Sequence, residues 1–65
     1  MKVNKIEVNT VDCEVPITEF EFDSMEKWFE YLEEYYEKSL RGSYNERTKS
    51  VRIEGDVGCD IWKVV

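Results

Sequence analysis

The sequence predicts an α+β fold: a single small domain with one amphipathic helix packed on one face of an antiparallel sheet of three to four strands, in the order β(β)αββ. Three observations point there. Apolar residues alternate with polar ones over 2–9, 11–22, 48–54 and 59–65, which is the period of a strand. Between them one segment, 24–40, repeats its apolar residues at helical spacing. The chain has 65 residues, room for one thin core.

The first strand, 2–9, carries Ile6 and Val8 at alternate positions, and Asn9-Thr10 offers a turn. Val11, Cys13, Val15 and Ile17 then alternate with Asp12, Glu14 and Pro16. The phase flips afterwards to Phe20 and Phe22 against Glu19 and Glu21. A flip beside a proline marks a bulge, a bend or an edge strand, so 11–22 is one bent strand or two. The helix opens on Asp23 as its cap, with Glu26 completing a capping box three residues on. It runs to about Leu40, and Gly42 stops it. Residues 43–50 are polar and read as a loop leading into the strand of Val51 and Ile53. Gly55-Asp56-Val57-Gly58 is turn chemistry, and Ile61, Trp62 and Val64 mark the last strand.

Composition limits the function. The chain lacks His, the usual general base near neutral pH and the commonest metal ligand. Its three glycines, at 42, 55 and 58, make no phosphate-binding loop, and its serines have no imidazole to activate them. Carboxylate pairs abound, but a chain this small scarcely encloses a catalytic pocket. Glu54, Asp56 and Asp60 lack calcium-loop spacing. An enzyme, a cofactor and a metal site are therefore not expected. Cys13 and Cys59, the two cysteines, read as buried thiols of a reducing compartment. No stretch is apolar enough to span a bilayer or to resemble a signal peptide, so a cytoplasmic chain is expected.

The charge is unevenly placed. Residues 1–11 carry a net +1, residues 12–37 a net −9 and residues 38–65 a net +2, giving −6 overall. Projected on a helix, Trp28, Phe29, Leu32, Tyr35, Tyr36 and Leu40 form the buried stripe. Glu26, Glu30, Glu33, Glu34 and Glu37 gather on one flank, and Tyr31 stands half outside. Glu26/Glu30, Glu30/Glu34 and Glu33/Glu37 are like-charge pairs at four-residue spacing, each unfavourable by about 0.2–0.5 kcal/mol. Glu19, Glu21 and Asp23 repeat on one face of the strand before the helix. Together the two rows make an extended anionic track.

Such a track suits a basic surface, where carboxylates take the place of a phosphate backbone. By size, acidity and a single helix on a sheet, the chain resembles small phage-encoded inhibitors such as anti-CRISPR and anti-restriction proteins. That resemblance covers the composition of the whole chain and no diagnostic motif. It implies a protein-binding inhibitor, a DNA mimic, that blocks a basic nucleic-acid-handling partner. Glu19, Glu21, Glu26, Glu30, Glu33, Glu34 and Glu37 would supply the charge, with Tyr31 as an anchor. Two alternatives remain. One is a non-catalytic structural or regulatory domain, homodimeric through a sheet edge or face. The other is nucleic-acid binding through the basic segment 38–52 with Tyr44 as a stacking platform, which the net charge disfavours.

Overall fold

The computed structural model describes residues 1–9 and 15–65. The turn expected at Thr10 and the alternation of Val11 and Cys13 lie outside the described residues. The elements are β1 (Lys2–Asn9), β2 (Ile17–Glu21), α1 (Met25–Tyr36), a 3-10 turn (Arg41–Ser43), β3 (Tyr44–Asn45), β4 (Ser50–Glu54) and β5 (Gly58–Val64). All strand pairs are antiparallel, in the spatial order β2-β1-β5-β4-β3. This is the expected α+β domain with one helix on a sheet, but the sheet has five strands rather than three or four.

The fifth strand comes from the segment read as a loop. The Asn45 side-chain oxygen accepts from the Arg47 and Thr48 amides at 2.9 and 3.3 Å, and Lys49 takes a left-handed φ of 54°. An Asx turn closed this way folds Tyr44–Asn45 back on Ser50–Val51. Gly58 is more than a turn residue. A Cβ there would run into the Val8 carbonyl oxygen, so only glycine lets β5 lie this close to β1.

Both ends of the helix differ from expectation. Ser24, not Asp23, is the cap: its hydroxyl accepts from the Lys27 amide at 3.3 Å. The capping-box position thus falls on Lys27, which leaves Glu26 free for another partner. The helix ends at Tyr36, because Glu37 adopts a left-handed conformation (φ 56°, ψ 38°) without a glycine. For a non-glycine residue that conformation costs roughly 1–2 kcal/mol. The reversal turns the chain back along α1 and delivers Leu40, 3% exposed, into the core. Leu40 was expected to reach the core on the helical stripe; it does so from outside the helix.

Register assigns the two sheet faces. Val3 stands opposite Phe20 and Val64, and Trp62 opposite Val51 and Lys5; these side chains face α1. The core comprises Val3, Trp28, Leu32, Leu40, Val51, Ile53 and Trp62, with Phe20, Phe22, Phe29, Tyr31 and Tyr44 packed around it. Trp28 is fully buried, stacked on Phe29 with Tyr44 at its edge, and its Nε1 has no hydrogen-bond partner among the described residues. Tyr35, expected in the buried stripe, is instead exposed. Ile6, Ile17 and Ile61 form one row on the opposite, open face.

Candidate functional site

The structure splits the expected anionic track in two. Phe20 turns toward the helix, within 5.0 Å of the Trp62 ring, so Glu19 and Glu21 project from the open face of the sheet. The helix carboxylates lie on the other side. Glu19 is also paired locally, its Oε1 3.8 Å from Lys2 Nζ.

Within the helix, most of the carboxylates are occupied. The chain reversal after Glu37 brings Arg41 back to the first turn. There its guanidinium donates to both Glu26 oxygens at 2.6 and 2.7 Å and stands 3.5 Å from Glu33. It also sits 5.5 Å over the Phe29 ring. These hydrogen bonds hold the Glu26 carboxyl below its ordinary value and raise Arg41 in return. Glu30 is 3.6 Å from Lys27. Much of the repulsion read from the spacing is thereby relieved by one long-range cation. Glu34 is the helix carboxylate with no ion pair among the described residues, and Glu37, just past the helix, is exposed.

Tyr31 is no free anchor. It is half-buried, with ring centroids 5.9 Å from Phe20, 5.3 Å from Phe22 and 5.9 Å from Trp62. One edge nevertheless reaches solvent, where Tyr31, Glu34 and Tyr35 line a shallow cleft of about 320 Å³. The Tyr31 and Tyr35 rings are nearly parallel, 6.0 Å apart and 20° from coplanar. Lys5, on the helix side of β1, places its Nζ 5.2 Å from the Tyr35 ring and 5.6 Å from Trp62. Glu7, 3.6 Å away, balances its charge.

A second cleft, of about 430 Å³, opens between the end of α1 and the β4–β5 turn, with Glu7, Tyr36, Lys38, Asp56 and Asp60 on its walls. Here Trp62 Nε1 donates to the Tyr36 hydroxyl at 2.9 Å, and that hydroxyl donates to Asp60 at 2.7 Å. Burial first, and the hydrogen bond to Asp60 second, raise the Tyr36 phenol above its ordinary value. The relay ties the helix end to β5; it offers no nucleophile. Among the described residues no three Cys, Asp or Glu side chains are grouped so as to hold a metal ion.

The basic segment 38–52 does not form one surface. Arg41 is spent on the helix, and Arg52 donates to Glu54 at 2.6 Å. Lys38 lines the cleft beside the β4–β5 turn, whereas Arg47 and Lys49 lie in the turn at the other end of β4. Tyr44 packs edge-on against Phe29 and Trp28 rather than offering a stacking face. No helix among the described residues is long and apolar enough to cross a membrane.

Sequence spacing could have found the Tyr31–Glu34–Tyr35 cleft, since offsets of three and four share a helix face. It could not have found Arg41, whose partner lies 15 residues away. Comparison with known proteins returned no matching family model, no matching curated protein and no matching solved structure.

Proposed function

We propose that this chain is a small acidic protein-binding module that docks the open flank of its helix on a basic, nucleic-acid-handling partner and blocks it. A phage-type anti-CRISPR or anti-restriction inhibitor acting in the cytoplasm is the concrete form of that reading. The observation that carries it is exposed carboxylate with no ion pair among the described residues, at Glu34 on α1 and Glu37 just past its end, in a chain of net charge −6. Charge of this kind raises association rates and fixes orientation, while affinity rests on a few desolvated anchors. Glu19 and Glu21, on the other side of the sheet, belong to a separate surface.

The test is a pull-down from host lysate at low and high salt, comparing wild type with Glu34→Lys/Glu37→Lys. A basic nucleic-acid-binding protein held by wild type, displaced by duplex DNA and lost in the variant is expected. Identical retention by both proteins would refute the docking face.

A second reading is favoured by one observation. Ile17 is 62% exposed at the end of the Ile6–Ile61 row, an apolar strip on the open face that a second copy of the chain would cover. A dimer mass by light scattering, reduced to monomer by Ile17→Lys, would support it.

A further inference from the structure

The helix already shows how it holds an arginine. On one flank, the Arg41 guanidinium lies over the Phe29 ring and donates two hydrogen bonds to Glu26, a carboxylate three residues before that ring. Farther round the helix a carboxylate and aromatic rings meet again; the cation there, Lys5, lies over the Tyr35 ring, and Glu34 has no ion pair among the described residues. Tyr31 precedes Glu34 by three residues, Tyr35 follows it, and the three line an open cleft. Tyr35 is 56% exposed although Lys5 lies against its ring, so aromatic surface beside Glu34 still faces solvent.

Resting on the docking reading above, we propose that the Tyr31–Glu34–Tyr35 cleft is the anchor for one arginine side chain of the basic partner. Guanidinium fits because it is flat. It lies on an aromatic face and still presents two parallel N–H donors to a carboxylate. An ammonium pairs with Glu34 but offers no plane to stack. The ring quadrupoles add to the attraction, more so once the cleft is closed off from water. Lys5, paired with Glu7, covers part of the Tyr35 ring, and the guanidinium takes the ring surface that Lys5 leaves exposed. The surface therefore discriminates arginine from lysine, which a plain row of carboxylates does only weakly.

The experiment titrates the full chain with an arginine nonapeptide and a lysine nonapeptide at low salt, by calorimetry. The arginine peptide is expected to bind about tenfold tighter, the scale of a partly desolvated cation–π contact. Tyr35→Ala should weaken the arginine peptide more than the lysine peptide and so bring the two affinities together. Tyr35→Leu, which keeps apolar bulk without a π face, should do the same; unaltered circular dichroism checks the fold of both. If both peptides bind equally and neither variant alters the ratio, the anchor is refuted while the acidic docking face stands. If neither peptide binds, the docking reading fails together with the anchor.

Discussion

The two flanks of α1 carry the same chemistry and end in opposite states. On one, Glu26 and Glu33 surround an arginine supplied by the same chain, and Phe29 backs it. On the other, Glu34 lines a cleft with Tyr31 and Tyr35 and has no ion pair among the described residues, while Lys5 lies over the Tyr35 ring and is paired with Glu7. A run of glutamates is thus not a measure of exposed charge. The fold neutralises part of it through contacts remote in sequence, and exposed carboxylate is left where that neutralisation stops.

Both flanks rest on the same core, so the largest effect should remove them together. Leu32 is fully buried beneath the helix, and Leu32→Ala should cost about 2–5 kcal/mol. In a domain this small that is most of the stability. Chemical denaturation followed by tryptophan fluorescence measures it, and both flanks should lose their order in one transition.

Next comes the tie at the end of the helix. Tyr36→Phe leaves the buried Trp62 Nε1 without its acceptor and should cost about 1–3 kcal/mol. The raised Tyr36 phenol has a further consequence. Its stabilising contribution is complete below the ordinary value of 10.0 and is lost as the pH rises through the higher folded value. Wild type should therefore lose stability in alkali more steeply than Tyr36→Phe does.

The smallest effect separates the two flanks. Glu26 titrates below its ordinary 4.5, so the Arg41 pair contributes fully above that value and fades as the pH falls through the lowered one. Arg41→Ala should flatten that acid limb of the stability profile. It should also strengthen binding of a basic peptide, because it frees Glu26 and Glu33. Glu34→Gln should weaken the peptide instead.

How much of this was legible in the sequence depends on the range of the interaction concerned. Trp28 and Leu32 declared themselves by helical spacing, and Val51 and Ile53 by alternation, because local periodicity decides which face is buried. Ser24 and Asp23 are both good caps and adjacent, so local chemistry could not separate them. The end of the helix was missed because the burial of Leu40 outweighs the cost of a left-handed Glu37. Tyr35 was assigned to the core because a projection ignores neighbouring side chains: its ring lies on Tyr31 and under Lys5, with more than half of it left in solvent. Phe20 fixed the phase of Glu19 and Glu21 in the sequence itself. Which side of the sheet the helix would cover was not written there. Arg41 carried no spacing signal for Glu26, because the reversed chain brings it back to the first turn of the helix across 15 residues.

The most direct measurement sets two charge reversals of equal size against each other. Glu34→Lys/Glu37→Lys alters the last turn and the end of the helix, and Glu19→Lys/Glu21→Lys alters the far face of the sheet. Both variants change the net charge identically. Affinity for the arginine nonapeptide, at one fixed salt concentration, should collapse in the first and fall only slightly in the second. Equal losses in the two would mean that the partner senses overall charge alone, and that the helix flank is not a site.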